Sequence, residues 1–304
     1  MKKTIYILAF LLASVTAGAQ ALPFTAVNYD PVAMAKGGTY LTETSSSAYA
    51  AFGNPAAAPF ASGTLDVATD YLMWQPSALK SDIVSLGGTF VLKEKIGISV
   101  GASYGMNPSY DVTDASGLVN GSFSPSDIQA EIGISWRFLP FFSVGANIGY
   151  ATSSLAEGVS YGALNADVFA MVKFGGLKAS AGVKNLGTSV KSASGATFAL
   201  PMSSAAGVGY ELEIGEKSRV DVNVDADYYM KDGVSVAAGA SYTFAKMATV
   251  RAGYRYGGAT VIPSFASVGA GFSIFGASID VAYLIAGKSS PMANTLCVGI
   301  RWGL

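Results

Sequence analysis

The sequence predicts an all-β protein, a closed antiparallel 14-stranded transmembrane β-barrel with an N-terminal hatch or plug segment. Three observations carry this reading. Only 13% of the 304 residues are charged against 51% hydrophobic, when soluble domains carry roughly 25% charged residues. Beyond residue 20 no apolar run is long enough for a helical span, for which about 18 residues are needed. What recurs instead is period-two alternation over stretches of about ten residues, and an even number of such stretches is expected of a bacterial outer-membrane barrel.

The chain opens with Met1-Lys2-Lys3, an apolar stretch from Ile5 to Val15 and the small residues Ala17-Gly18-Ala19. This is the pattern of a secretory signal peptide over 1–19. It is too short to span a bilayer, which takes about 20 apolar residues. No Cys follows the cleavage point, so the expected exported chain carries no lipid there. Residues 20–63 differ in kind: Ala- and Ser-rich, with Asn54-Pro55 and Pro59 and almost no alternation. A barrel wider than eight strands leaves a lumen that wall side chains do not fill. A segment just ahead of the first strand is placed to enter it, and Phe24, Tyr29, Met34, Tyr40, Leu41, Tyr49 and Phe52 give it the apolar content of an ordered element.

The barrel is expected over 64–304. Its alternating runs are 64–74, 83–93, 96–106, 127–138, 142–152, 161–174, 177–186, 203–214, 219–229, 234–244, 248–256, 265–274, 277–285 and 295–302. In 127–138, Ile128, Ala130, Ile132, Ile134, Trp136 and Phe138 oppose Asp127, Gln129, Glu131, Ser135 and Arg137, and a strand puts the two sets on opposite faces. The same logic turns Val168, Val222 and Val224 to lipid and Asn165, Asp167, Asp221 and Asn223 to the lumen. On this reading Val222→Arg blocks assembly while Asn223→Arg is tolerated. Connections alternate between tight and mostly longer, as periplasmic turns and external loops do. Trp136, Phe138, Phe174, Phe244 and Trp302 then form an aromatic girdle at the periplasmic strand ends. Tyr71, Tyr104, Tyr150, Tyr161, Tyr228, Tyr254 and Tyr283 mark the external ends, whereas Tyr210 and Tyr242 fit neither group.

Chemistry is sparse. There is no His, and the single Cys297 can form neither an internal disulfide nor a thiolate zinc site. Gly101-Ala102-Ser103-Tyr104-Gly105 matches a hydrolase nucleophile elbow but lies within a strand with no His base. Asp221-x-Asn223-x-Asp225-x-Asp227 mimics a calcium loop but lacks its sixth-position Gly and twelfth-position Glu. No catalytic residue, cofactor or metal site is expected. Nucleic acid is excluded as a partner because 19 Lys and Arg against 20 Asp and Glu leave no basic excess. The inward charges do predict one interaction. Asp221, Asp225 and Asp227 on one strand face Arg251 and Arg255 two strands away, across a strand that turns only Ser235, Ala237, Gly239, Ser241 and Thr243 inward. An Asp–Arg pair is expected to cross this lane, formed by Asp225 or Asp227 with Arg255 or Arg251.

Met34-Ala35-Lys36-Gly37-Gly38-Thr39, Ser47-Ala48-Tyr49 and Asn54-Pro55-Ala56-Ala57 resemble the opening of FadL-type outer-membrane proteins. They are closer to the PorV/PorQ-like branch of Bacteroidetes, as are Gly182-Val183-Lys184-Asn185-Leu186-Gly187, Leu200-Pro201 and Gly207-Val208-Gly209-Tyr210. The resemblance implies a fourteen-stranded barrel whose hatch carries Gly37, Gly38, Asn54 and Pro55. In the PorV/PorQ-like branch it implies type IX secretion and other envelope proteins as partners; in FadL-type proteins it implies uptake of hydrophobic small molecules. The chain is short for the former and ends in Leu304 instead of an aromatic residue. The leading expectation is a non-enzymatic PorV/PorQ-like protein of the cell outer membrane, linked to secretion or surface assembly. The alternative is a FadL-like channel for small hydrophobic solutes.

Overall fold

A computed structural model describes residues 20–192, 195–257 and 262–304; the expected signal peptide over 1–19 lies outside the described residues. The strands, in chain order, are β1 (Leu65–Trp74), β2 (Ser81–Leu92), β3 (Ile96–Met106), β4 (Tyr110–Thr113), β5 (Val119–Phe123), β6 (Ser126–Leu139), β7 (Phe142–Ala156), β8 (Val159–Phe174), β9 (Leu177–Gly187), β10 (Val190–Lys191), β11 (Thr197–Phe198), β12 (Ser203–Ile214), β13 (Ser218–Tyr229), β14 (Gly233–Phe244), β15 (Ala248–Tyr256), β16 (Phe265–Ile274), β17 (Ala277–Ile285) and β18 (Leu296–Gly303). Fourteen of them close into one antiparallel barrel, sealed where β1 pairs with β18. Closure leaves no strand edge without a hydrogen-bond partner, which is the condition for β structure in lipid. Among the described residues no helix is long and apolar enough to cross a membrane.

Each expected run coincides with a barrel strand to within a few residues. Two of the longer connections carry structure that alternation did not reveal. The 107–126 connection folds into the hairpin β4–β5, and 187–202 contains the short pair β10–β11. The expected loop at 153–160 shrinks, because β7 and β8 continue pairing as far as Ala156 and Val159. At the opposite end, hereafter the turn end, Lys93-Glu94, Ala245-Lys246 and Phe275-Gly276 each place two successive residues at positive φ. That is the type I′ turn backbone, whose twist matches the flanking strands; the connection is two residues long at Phe275-Gly276 and three at the other two.

Alternation sorts the wall as the period requires. Ile132, Ile134, Val168, Val222 and Val224 are exposed on the outer face; Glu131, Asn165, Asp167, Asp221 and Asn223 are buried toward the lumen. Trp136, Phe138, Phe174, Phe244 and Trp302 all point outward near the turn end, where Phe141 stacks on Phe174 and Phe138 meets both Trp136 and Phe142.

The lumen is packed, and residues 20–63 pack it. The segment contains short 3₁₀ turns at Pro23–Ala26 and Pro55–Phe60 and one helical turn, α1 (Pro31–Met34). Tyr29, Met34, Ala48, Tyr49 and Phe52 join Leu72, Ile83, Phe265, Leu284, Met292 and Cys297 of the wall and its loops in one apolar cluster. Leu41, Ala56 and Ala57 pack on Phe169, Met171 and Ala205 in a second. Inward-facing wall glycines mark where the segment runs. A Cβ on Gly101 would lie 2.6 Å from the Phe52 ring, one on Gly145 2.6 Å from the amide nitrogen of Ala56, and one on Gly209 2.6 Å from Thr42 Oγ1.

This packing corrects one expectation. Asn223 is not a roomy lumen position: its side chain accepts from Lys36 Nζ at 2.9 Å and donates to Thr42 Oγ1 at 2.8 Å. Arg there would overfill the contact and set a second cation against Lys36. Asn223→Arg is therefore expected to unseat the segment, while Val222→Arg exposes a cation to lipid at a cost of about 2–4 kcal/mol near the midplane. In heat-modifiability gels of outer-membrane preparations, the Val222 variant should lose the fast-migrating folded band. The Asn223 variant should keep a folded barrel but show faster proteolysis within 20–63.

Candidate functional site: the lumen between residues 20–63 and the wall

Two polar clamps and one apolar cavity define the interior. The first clamp forms around Lys36, the lone cation of the Met34–Thr39 stretch. Its Nζ is hydrogen-bonded to Glu43 and to Asn223 Oδ1 and sits 3.3 Å from Asp221 Oδ1. Asp221 in turn holds Lys178 Nζ at 2.5 Å, and Lys178 lies 3.6 Å from Glu211 Oε2. Lys36 and Lys178 are both fully buried. Burial of a charge is tolerated only with paired, hydrogen-bonded partners, and each of these ammonium groups has them.

The second clamp forms around Arg255. Its Nη1 lies 3.2 Å from Asp227 Oδ2 and 2.9 Å from Ser235 Oγ, while Nε and Nη2 donate to the carbonyls of Gly37 and Gly38 at 3.0 and 2.9 Å. Gly37 and Gly38 adopt positive φ of 73° and 80°, and a Cβ on Gly37 would lie 2.8 Å from the Tyr254 carbonyl oxygen. Only glycine turns the chain this tightly against the wall. Asp225 stands directly across β14 from Arg255. Its Oδ2 nevertheless accepts from the backbone amides of Tyr40 and Leu41 at 2.7 and 3.0 Å. Arg251 does not join the Asp221–Asp227 row, because it pairs at 2.7 Å with Asp280 on β17. The lane thus brings together Asp227 and Arg255, and sends Asp221, Asp225 and Arg251 to other partners.

Asn54 caps the 3₁₀ turn that begins at Pro55, accepting from the Ala56 amide at 3.0 Å. Its Nδ2 donates to the Leu41 carbonyl at 2.6 Å and to wall Ser180 Oγ at 2.8 Å, so one side chain joins two stretches of the segment to β9. Lys36, Glu43 and Lys178 were not singled out from the sequence. A cation placed between Ala35 and Gly37, in an otherwise uncharged stretch, was the available signal.

At the loop end a cavity of about 50 Å³ lies between the segment and the wall. Val27, Met34, Phe52, Phe265, Leu284 and Met292 form its apolar lining, and Lys184, Asn185, Asp227 and Arg255 its polar side. The polar groups are already engaged: Lys184 donates to the Phe52 carbonyl at 2.8 Å and lies 4.9 Å over the Tyr40 ring, whose hydroxyl donates to Asp227 Oδ1 at 3.1 Å.

No protein-family model matches the sequence, and no curated protein matches it. Solved structures do. The toluene transporter TbuX of Ralstonia pickettii superposes with a TM-score of 0.62 at 10% identity, over 92% of this chain and 100% of that one. The toluene transporter TodX of P. putida gives 0.62 at 14%, over 91% and 99%. A FadL homologue of Pseudomonas aeruginosa gives 0.50 at 12%, over 89% and 96%. The chain shares the fold of FadL-type barrels. These likenesses establish the fourteen-stranded architecture and do not confirm the finer PorV/PorQ-like resemblance.

The Asp227–Arg255 contact makes a direct prediction. Removing one member of a buried pair costs about 3–5 kcal/mol because the other charge is left uncompensated. In urea titrations of the lipid-refolded barrel, Arg255→Met should be strongly destabilising, and Arg255→Met with Asp227→Asn should cost clearly less than the sum of the two. A cycle pairing Arg255 with Asp225 should show weaker coupling, since Asp225 bonds to the Tyr40 and Leu41 amides.

Proposed function

We propose that this chain is an outer-membrane channel for small hydrophobic solutes, in which residues 20–63 form a hatch seated in the barrel 64–304. The observation that carries this reading is the apolar-lined cavity at the loop end, bounded by the hatch on one side and the wall on the other. Convergent apolar and aromatic side chains with a few polar groups are the usual make-up of a small-molecule site. The structural neighbours named as toluene transporters and as a FadL homologue favour it further. The loop end is external in this reading, the turn end periplasmic, and residues 1–19 are the export signal.

The cavity also indicates which state of the channel is closed. A cavity of about 150 Å³ holds a benzene ring, and the one present is near 50 Å³. A single-ring solute therefore enters only as the hatch shifts, and passage to the periplasm requires release of contacts at Lys36 or Arg255. The second reading, a PorV/PorQ-like partner in secretion, rests on a different feature. The hairpin β4–β5 exposes Val112, Leu118 and Val119 at the loop end, and exposed apolar surface of this kind suits a protein contact.

Calorimetric titration of the folded full-length barrel with toluene tests the channel. Saturable binding is expected, weakened at least tenfold in Leu284→Trp, which fills the cavity; no binding by the unsubstituted protein would overturn the reading. Deleting residues 24–60 should raise ion conductance in planar bilayers, because the lumen is otherwise occupied. Unchanged conductance would remove the hatch role.

A further inference from the structure

We propose that residues 20–24 are the leading end of the hatch, threaded the full length of the lumen and docked in a built site at its external mouth, so that the N-terminus left by removal of residues 1–19 faces the outside of the cell. This inference rests on two parts of the reading above, the external loop end and the export signal, and not on the solute carried.

The hatch runs one way through the barrel. It joins β1 at the turn end, where the Thr64 amide donates to the Leu304 carbonyl. Back along the chain, the Ser47 amide donates to Asp66 Oδ2 at 2.7 Å and the Ser45 carbonyl accepts from Arg301 Nη1 at 2.7 Å, still near that end. Tyr40 and Leu41 meet Asp225 further up the wall. The Thr25 carbonyl accepts from Asn185 Nδ2 at 3.4 Å, close to the loop end of β9. The Ala21 amide then reaches the Ala199 carbonyl at 2.9 Å, in the 187–202 connection.

The first residues of a folded domain are poorly ordered unless something ties them down. Here three successive residues are tied. The Gln20 carboxamide donates to Asp232 in the 230–233 connection, the Ala21 amide to Ala199, and the Leu22 side chain, only 6% exposed, packs among Ala151, Ala163, Val190 and Leu200. Leu22 is held at a φ of 51°, a region that a bulky residue occupies only where its surroundings fix it. Its carbonyl accepts from both the amide and the hydroxyl of Thr25, at 3.0 and 2.9 Å, and this turn starts the chain on its way down the lumen.

A leading end in this place fixes an order of events. A leader still attached to Gln20 and held on the periplasmic side would have to return through a lumen that residues 20–63 already fill. A path outside the wall would carry Lys2 and Lys3 through lipid, where a cation is costly. Both routes are closed, so the hatch seats only after the leader is cut away.

Introduced cysteines test the direction. Cys297 is the only cysteine of the chain and is fully buried, so it contributes little background. Ala21 is partly exposed at the loop end and Ser62 is exposed at the turn end. On intact cells a membrane-impermeant maleimide is expected to label Ala21→Cys at least tenfold faster than Ser62→Cys, and opening the outer membrane should bring the two rates together. Faster labelling of Ser62→Cys, or labelling of Ala21→Cys only after the membrane is opened, overturns the inference. Adding Leu22→Asp should release the leading end and speed the labelling of Ala21→Cys; an unchanged rate overturns the docking site. In pulse-labelled cells, Ala21→Cys with Ala199→Cys is expected to form a disulfide in the processed chain alone, and a disulfide in the precursor overturns the order of cleavage and seating. Toluene binding reads none of these contacts, so failure here leaves the channel reading standing, and failure of toluene to bind leaves this inference standing.

Discussion

Every backbone amide and carbonyl at membrane depth must find a partner within the protein, because lipid supplies none. The antiparallel ladder meets this demand only if it has no edge, and the pairing of β1 with β18 removes the last one. The other features follow from closure. Fourteen strands enclose a lumen too wide for wall side chains, and an interior of that width must be filled by water or by chain. Residues 20–63 fill it, and the wall accommodates them with glycine wherever their backbone or rings press closest, as at Gly101 under Phe52 and Gly145 under Ala56.

The means of filling sets the character of the interior. Apolar burial is non-directional and does not by itself select one seating of the segment. Residues 20–63 are oriented by polar contacts whose geometry allows a single seating: Arg255 on the Gly37 and Gly38 carbonyls, Asp225 on the Tyr40 and Leu41 amides, and Asn54 bridging Leu41 to Ser180. Apolar clusters lie between the clamps and leave a small cavity toward the loop end. Buried ion pairs are modest contributors to net stability but costly to half-remove, which suits a segment that must keep one position without being welded to the wall. The same lumen thus combines a fixed polar seat and an apolar pocket.

The fold was almost wholly legible from the amino acids. Fourteen alternating runs became fourteen strands, because each strand's two faces meet two different solvents and alternation records both. The connections were less legible. The β4–β5 and β10–β11 pairs and the extended β7–β8 hairpin lie at the loop end, beyond the alternating runs from which the strands were read. The site was legible only in part. The inward parity of Asp221, Asp225, Asp227, Arg251 and Arg255 is a local property of the chain and could be read. Arg251 reaching Asp280, Asp225 serving backbone amides, and Lys36 meeting Glu43, Asp221 and Asn223 depend on where the 20–63 segment lies, and no periodicity encodes that.

The sequence by itself thus determined the class of solvent, the number of strands and the face of each wall residue, since these follow from hydropathy repeating every second residue. The tertiary structure decided which charges meet, where the segment rests and where space remains. Partners for an inward side chain come from strands distant in sequence and from a segment with no repeat of its own, and only closure of the barrel around that segment brings Lys36, Asp221 and Lys178, or Gly37 and Arg255, to one place.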